Sequence, residues 1–204
     1  WDAGRVQLYL RVAACIDPLC SQPPVVTTLD SGTFEHIVIT LQNGLPLIAY
    51  EVQISGGSSN ILKMVICNNA ACTTPTIRSL TGTSGVSGGN GLGLELLNGN
   101  PIIAFTGWQT TSPVKLLKCL SPTCAEAPTI KTIDANVIGP SGIAMTVAAT
   151  TPIITYTTLE DSRLSSVKVA TCTDSACTGS MYIHTLDQAY GAEDSAITLV
   201  NGLP

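Results

Sequence analysis

The sequence predicts an all-β protein built from one antiparallel unit that repeats along the chain. Two cysteines separated by four residues occur four times, and the first cysteines of successive pairs are 52, 52 and 53 residues apart. The chain is 45% hydrophobic but only 4% aromatic, and its apolar residues are mostly Val, Ile, Leu and Ala. β-Branched side chains suit the pleated, half-buried surface of a strand. Because no stretch shows the apolar period of a helix, we expect strands throughout.

Each repeat contains four strand-like segments, which we name in chain order the inner, proline, cysteine and outer strands. The predicted inner strands are Ile37–Leu41, Leu92–Leu97, Ile143–Val147 and Ala196–Val200. Three of them run into an Asn-Gly pair, which between apolar segments is typical of a two-residue hairpin turn. These pairs are Asn43-Gly44, Asn98-Gly99 and Asn201-Gly202, and the third repeat has Ala149-Thr150-Thr151 instead. The proline strands begin at Pro46, Pro101 and Pro152, where a missing N–H is tolerated.

The cysteine and outer strands complete each repeat. The cysteine strands are Arg5–Ala14, Ile61–Ile66, Val114–Lys118 and Ser166–Thr171. The outer strands are Val25–Leu29, Thr76–Leu80, Thr129–Ile133 and Met181–Leu186. Three outer strands are followed by an aspartate, Asp30, Asp134 or Asp187, which we expect to cap a turn through its side chain.

A four-stranded antiparallel unit repeated about every 52 residues is typical of a β-propeller blade. We therefore predict one repetitive β-propeller segment over residues 1–204, with tandem small sandwiches as the alternative. The segment divides into a half blade (1–29), three complete blades (30–81, 82–134 and 135–187) and the start of a further blade (188–204).

The eight cysteines are predicted to form one disulfide within each repeat. The pairs are Cys15–Cys20, Cys67–Cys72, Cys119–Cys124 and Cys172–Cys177. A zinc site needs four ligands together, whereas each pair stands alone in its repeat and the only histidines are His36 and His184. Persistent disulfides indicate an oxidising compartment, so we expect an extracellular or cell-surface protein. No apolar run reaches the roughly 20 residues of a spanning helix, and membrane insertion is not expected.

The repeat also resembles a known family. It combines an apolar inner strand, Asn-Gly-x-Pro followed by Ile/Leu-Ile-Ala-Tyr, a strand that leads into Cys-x4-Cys, and Thr-Leu-Asp. This combination is similar to the repeats of secreted bacterial and archaeal propellers of the sialidase-like, BNR type. The resemblance covers essentially the whole chain, although the Asp-box pattern Ser-x-Asp-x-Gly-x-Thr-Trp does not occur. It implies the fold and the compartment, and the enzymatic activity of the family does not transfer.

The sequence offers little support for catalysis. A sialidase-like site needs three arginines around a carboxylate, and the four arginines, Arg5, Arg11, Arg78 and Arg163, do not recur at one level of the repeat. The adjacent carboxylates Glu160-Asp161 and Glu193-Asp194 could serve a glycosidase, but they are read as solvated loop charges. His36 and His184 are assigned structural roles, and no cofactor or metal is predicted. Enzymatic activity is uncertain and the less favoured interpretation.

The variable loops on one face are where we expect any ligand to bind, because function usually lies on loops carried by a rigid scaffold. The candidate ligand-binding residues are Trp108, Tyr190, Glu160, Asp161 and Arg163. Phe34 is a further aromatic on this face, and such aromatics either bind a ligand or pack loop against blade. With a net charge of −5 and no basic cluster, nucleic acid is not an expected partner.

The function expected from these features is a non-enzymatic structural or adhesive propeller within a larger surface protein, filament or assembly. A glycan-binding or glycosidase-like propeller is the alternative. The four repeats contain one proline strand fewer than cysteine strands. Arg5–Ala14 and Ala196–Val200 are therefore expected to pair with a strand from outside residues 1–204, supplied by further blades or by another copy of the chain.

Overall fold

The computed structural model describes residues 7–54, 59–82, 86–87, 91–106, 111–135, 137–160, 164–174, 177–191 and 193–204. In these ranges the chain forms fifteen strands and no helix, so no helix is present that could cross a membrane. All strand pairs within the sheets are antiparallel. The all-β class and the repeated four-stranded sheet are confirmed.

The strands form four sheets, numbered in chain order. Sheet 1 contains β1 (Tyr9–Ala14) and β2 (Val25–Ser31). Sheet 2 contains β3 (Phe34–Gln42), β4 (Leu45–Gln53), β5 (Ser59–Ile66), β6 (Thr76–Ser79) and β7 (Val86–Ser87). Sheet 3 contains β8 (Leu92–Leu97), β9 (Asn100–Phe105), β10 (Val114–Lys118) and β11 (Thr129–Asp134). Sheet 4 contains β12 (Ser141–Ala148), β13 (Thr151–Leu159), β14 (Leu164–Cys172) and β15 (Met181–Tyr190).

The hairpin between inner and proline strands keeps one geometry even where its sequence changes. Asn43 and Asn98 both have φ 53°, the left-handed value that their Asn-Gly turns require. In sheet 4 the turn contains Ala149 and Thr150, yet Ala149 has φ 56° and Ala148 still pairs with Thr151. The strands on either side therefore impose the turn on residues that do not favour it.

Each cysteine pair is joined by a disulfide that closes a short turn. The second cysteine has φ between 48° and 54°, and its N–H donates to the carbonyl three residues earlier. The side chain of that earlier residue also accepts backbone N–H groups, which stabilises the loop. It is Asp17, Asn69, Ser121 or Asp174 in the successive repeats.

The sheets pack face to face in chain order, and each contact encloses one apolar cluster. Leu10 and Leu29 of sheet 1 pack with Tyr50 and Val65 of sheet 2. Equivalent clusters join sheet 2 to sheet 3 and sheet 3 to sheet 4. The last three disulfides are buried in these clusters, whereas Cys15 and Cys20 are exposed. The first bridge is exposed because no described sheet precedes sheet 1.

Hydrogen bonds reinforce the same contacts. Thr27 of sheet 1 donates to the carbonyl of Ala71, in the second cysteine loop. Gln42 of sheet 2 donates to the carbonyl of Pro122, and Lys131 of sheet 3 to the carbonyl of Cys177. Sheets 1, 2 and 3 thus each donate a side-chain hydrogen bond into the cysteine loop of the next sheet.

Two of the aspartates of the outer strands, Asp30 and Asp134, have a role beyond the one predicted. The Tyr50 hydroxyl donates to Asp30 at 2.7 Å, and the Tyr156 hydroxyl donates to Asp134 at 2.7 Å. Each bond links the end of one outer strand to the proline strand of the next sheet. The prediction of turn capping was therefore incomplete, since Asp30 does accept the N–H of Ser31 but its second oxygen joins two sheets.

The predicted strand Ala196–Val200 is wrong. Residues 193–199 have no regular secondary structure, and Val200 forms only an isolated bridge with Leu203. A strand needs a neighbour to satisfy its backbone groups, and none pairs with this segment among the described residues. It also does not pair with β1, whose one partner in the described sheets is β2.

A short strand that the sequence does not predict, β7, lies in the glycine-rich stretch 82–90. β7 pairs with Ser59 and Asn60 at the beginning of β5. The partner strand β6 covers β5 only from Lys63 to Ile66. The first residues of β5 are therefore available to a second strand, and β7 occupies that place.

Replacing both cysteines of a bridge by alanine tests the difference in burial. Loss of loop closure should cost about 2 kcal/mol at either the Cys15–Cys20 or the Cys67–Cys72 bridge. The Cys67–Cys72 variant should lose more, because its sulfur atoms also pack between sheets 1 and 2. Denaturant unfolding of the two double variants measures both costs. Equal losses would contradict the role of the buried bridge.

A second prediction concerns acid sensitivity at Asp30. Burial alone would raise the pKa of this carboxyl, but hydrogen bonds from Lys63 and Tyr50 hold it below its ordinary value. Its stabilising contribution is therefore complete above the ordinary pKa of about 4 and is lost as the pH falls through the lower folded-state pKa. Asp30→Asn should lower the unfolding free energy by roughly 1–3 kcal/mol at pH 7, and the difference should shrink near pH 3.

The matched control is Asp187→Asn, since Asp187 occupies the equivalent position of the outer strand β15 but is exposed and accepts the N–H of the adjacent Gln188. Urea unfolding of both variants at the two pH values decides the matter. If Asp187→Asn costs as much as Asp30→Asn, the link between sheets 1 and 2 is not the cause.

Candidate functional site

The beginnings of the inner strands of sheets 3 and 4 approach each other so closely that a side chain at Gly91 would collide with Ile143. At this level β3 carries His36, Gly91 directly precedes β8, and β12 carries Gly142. All three have positive φ, at 38°, 151° and 55°. A Cβ on Gly91 would lie 2.6 Å from the Ile143 backbone nitrogen, and one on Gly142 would collide with the backbone of residues 194–195. Glycine is required at both positions because the neighbouring backbone occupies the space.

Residues 193–195 complete this arrangement although they form no strand. The Ser195 hydroxyl donates to the carbonyl of Gly142 and lies 3.1 Å from Thr155 Oγ1. The Thr157 hydroxyl donates to the carbonyl of Glu193 at 3.3 Å. These contacts fix the segment against sheet 4 and bring it beside the three inner strands. Ser195 is thus engaged as a structural link.

The four segments enclose a cavity of about 190 Å³. Its lining residues are His36, Ile37, Val38, Gly91, Leu92, Gly142, Ile143, Asp194 and Ser195. We call it the central cavity. Another cavity, of about 270 Å³, lies beside the Asn98 turn, and Lys118 is the one titratable side chain in its described lining. Of the two cavities, the central one therefore has more titratable side chains, His36 and Asp194, in its described lining.

Three potential metal-ligating side chains lie together beside the central cavity, and one of them, His36, lines it. Glu35 and Glu51 are directly opposite each other in the β3–β4 pairing, and His36 Nδ1 lies 3.6 Å from Glu51 Oε2. The ligand atoms of the three residues all lie within 4.8 Å of one another. The amide of Asn60 donates to Glu35 at 2.8 Å and to Glu51 at 3.4 Å. We call Glu35, His36 and Glu51 the Glu-His-Glu cluster.

The electrostatics of the cluster are dominated by negative charge. The side chain of Glu51 is completely buried, and that of His36 is 35% exposed. The pKa of His36 is raised, first by its interaction with Glu51 and further by Glu35 and Asp194, while burial opposes the rise. At 3.6 Å the His36–Glu51 contact is longer than a normal hydrogen bond, so we treat it as a charge interaction. A protonated histidine or a bound cation would both be stabilised here.

The residues predicted to bind a ligand are not brought together by the described structure. Tyr190 ends β15 and is 80% exposed, and Glu160 forms an exposed ion pair with Lys168 at 3.3 Å. Trp108, Asp161 and Arg163 lie outside the described residues. Phe34 is the first residue of β3 and packs against Tyr50 of the neighbouring strand β4, with ring centroids 5.8 Å apart, so it belongs to the packing within sheet 2.

The sequence interpretation missed the Glu-His-Glu cluster, although a signal for it was present. When the repeats are aligned, His36 stands where the other sheets have Gly91 and Gly142. Glu51 follows Tyr50, whereas Thr106 and Thr157 follow the equivalent aromatic residues. Both departures occur in the same sheet. A comparison of the repeats position by position would have singled out these two residues.

Comparisons with known proteins leave the family open. No known family model matches the chain, and no solved structure matches it. A stretch of 78 residues, 37% of this chain, is 36% identical to a UDP-N-acetylglucosamine–N-acetylmuramyl-(pentapeptide) pyrophosphoryl-undecaprenol N-acetylglucosamine transferase from Clostridium kluyveri. The match spans 22% of that protein, so the chain is similar to about a fifth of its length.

The close approach at the central cavity can be tested with glycine substitutions. Gly142→Ala should destabilise the protein by more than the roughly 1 kcal/mol typical of a positive-φ glycine, because its Cβ would collide with residues 194–195. Gly82→Ala is the control, since a Cβ at Gly82 meets nothing within 4 Å. Thermal unfolding of both variants measures the effect. Equal midpoints for the two would show that residues 194–195 do not pack against sheet 4.

Proposed function

We propose that this chain is part of an extracellular β-propeller of the sialidase-like repeat type, without catalytic groups, that acts as a structural or adhesive scaffold. The proposal has three parts, which are the architecture, the compartment and the role. The observation that carries the role is an exposed apolar stripe on β3, formed by Ile37, Ile39 and Leu41. It is 53%, 61% and 62% exposed along its length.

The propeller architecture is supported by the way in which the sheets follow one another. Successive four-stranded sheets pack face to face, and their inner strands approach one another around the central cavity. In a propeller the first strand of every blade lines the central axis. A row of tandem sandwiches would bury its clusters within each unit, whereas the three clusters here lie between consecutive sheets.

The stripe on β3 is an interface without its partner. Its equivalents in sheet 3 include Leu92 and Leu94, at 4% and 7% exposed, and those in sheet 4 include Ile143 and Met145, at 6% and 7%. These residues are buried because each inner strand packs beside the one that precedes it. A scaffold whose first inner strand keeps this pattern is suited to packing on a further blade, either of its own chain or of another copy.

An extracellular location is supported by the four disulfides, since such bonds persist in oxidising compartments. Each bridge stabilises its loop only while the disulfide is intact. A reducing cytosol would remove that contribution from all four repeats at once. The disulfides thus fit a secreted or surface protein.

A non-catalytic role is supported by the placement of the charged residues. Arg11 stacks over Tyr9 on β1, and Arg78 lies on β6 of another sheet. Glu160 is paired with Lys168 at the surface. Within the described residues, these groups do not converge on one cavity as a glycoside-cleaving site would require.

Association tests the scaffold proposal. The chain should self-associate as its concentration rises, and Ile39→Lys should prevent this, because a charge in the middle of the stripe cannot be buried against another copy. Ile130→Lys is the matched control, since Ile130 is exposed on the outer strand β11 at 49%. Sedimentation velocity and electron microscopy measure the assembly. A chain that stays monomeric at every concentration, or equal behaviour of the two variants, would refute assembly through the stripe.

Glycan binding is the second candidate, favoured by the 80% exposed ring of Tyr190, because exposed aromatic rings are suited to stacking on sugars. A glycan array followed by a hydrolysis assay tests it. Binding that is lost in Tyr190→Ala would support an adhesive role toward sugars. Turnover abolished by Glu160→Gln or Asp161→Asn would refute the non-enzymatic scaffold.

A further inference from the structure

We propose that the Glu-His-Glu cluster binds a divalent transition-metal cation of the Zn²⁺ type beside the central cavity, which His36 lines. The site would use His36 Nδ1 and one carboxylate oxygen from each of Glu35 and Glu51. It is distinct from the scaffold role and does not depend on it.

The distances suit a metal better than a direct hydrogen bond. Hydrogen bonds from N–H to oxygen are about 2.7–3.2 Å long, and His36 Nδ1 lies 3.6 Å from Glu51 Oε2. Two ligands of a tetrahedral zinc ion, each about 2.0–2.1 Å from the metal, are about 3.3 Å apart. All three donor atoms lie within 4.8 Å of one another. Small side-chain movements would bring them to zinc-binding geometry.

The two carboxylates provide an independent reason to expect a cation. Glu35 and Glu51 are directly opposite each other in the β3–β4 register. Like charges in directly opposed positions destabilise a strand pair, and the burial of the Glu51 side chain increases the cost of its charge. Asn60 donates to both carboxylates and holds their oxygens on the same side. A divalent ion between them would turn this repulsion into attraction.

The cation can also reach the site. His36 is 35% exposed, and it lines the central cavity together with Asp194. Water in the cavity would supply the remaining ligand, as in zinc sites with an open position. Asp194 adds negative charge to the lining of the cavity, which favours the entry of cations.

The ligand set favours zinc over calcium. One imidazole nitrogen and two carboxylate oxygens match the ligands of Zn²⁺ and its first-row neighbours. Calcium takes six to eight oxygen ligands and is not normally coordinated by an imidazole nitrogen. We therefore expect Zn²⁺ to bind and Ca²⁺ to bind much more weakly.

The alignment of the repeats supports a metal site in sheet 2. Positive φ favours glycine, which the other sheets use as Gly91 and Gly142, yet sheet 2 carries His36 there at φ 38°. In the same sheet Glu51 replaces the threonine found in sheets 3 and 4. Both substitutions are unfavourable for folding by themselves. Their occurrence side by side is explained by a shared ligand.

The test uses the full chain, stripped with EDTA, and titrates ZnCl2 by isothermal calorimetry. One Zn²⁺ should bind per chain, and His36→Gly should weaken binding by at least roughly tenfold. This variant is chosen because glycine occupies the equivalent position in sheets 3 and 4, so it removes the ligand and relieves the positive φ. Its thermal midpoint should equal or exceed that of the unmodified apo chain.

Two variants complete the design. Glu35→Gln should also weaken Zn²⁺ binding, and it serves as the carboxylate test if Glu51→Gln does not fold. His184→Gln should leave binding unchanged, because His184 is the other histidine of the chain and is exposed on β15. No Zn²⁺ binding by the unmodified chain, equal binding by folded His36→Gly, or loss of binding in His184→Gln would overturn the proposal. Equal affinity for CaCl2 and ZnCl2 would overturn the assignment to a transition metal.

Discussion

The packing of each sheet against the next is the interaction on which the rest of the structure depends. In β4 every residue from Leu47 to Val52 is buried, so both faces of this central strand are covered. β9 and β13 have the same pattern. An antiparallel sheet that stands alone buries one face only. These central strands bury both, so sheets 2 and 3 reach their full stability only with a neighbouring sheet on each side. In sheet 4, Thr155 and Thr157 of the central strand contact Ser195 and Glu193 instead. The exposure of the Cys15–Cys20 disulfide in sheet 1 and of the apolar stripe on β3 in sheet 2 follows from the same constraint.

The polar links between sheets vary with the repeats in a consistent way. Tyr50 pairs with Asp30, and Tyr156 pairs with Asp134. At the equivalent positions for sheet 3 the chain has Phe105 and Thr81, so hydroxyl and carboxylate are absent together. Thr81 instead accepts the N–H of Leu62. A buried hydroxyl without a partner would be costly, and the paired replacement avoids that cost while the aromatic ring keeps its packing.

Local features of this fold could be predicted from the sequence, and features that depend on distant neighbours could not. Strands, hairpins and disulfides follow from alternation and spacing within about 50 residues. Ala196–Val200 has the composition of a strand, but strand formation also requires a partner that composition does not reveal. The role of Asp30 was missed because its partner, Tyr50, is 20 residues away on the next sheet. The Glu-His-Glu cluster was missed because His36 and Glu51 become neighbours only through the β3–β4 register.

The same register explains how a repetitive scaffold can acquire a specific site. Packing demands the same residue types at the same position of every sheet, so most positions are constrained by the neighbouring sheets. A residue that differs from the repeat at such a position packs less well, and a favourable interaction with a nearby residue must offset the loss. His36 departs from glycine at the level where backbones approach most closely, and Glu51 adds a buried carboxylate beside it. His36 and Glu51 offset each other's cost as an ion pair or as metal ligands. Neither residue could do so if the other position kept its glycine or threonine. In a chain of repeated sheets, paired departures of this kind distinguish a chemical site from the scaffold that carries it.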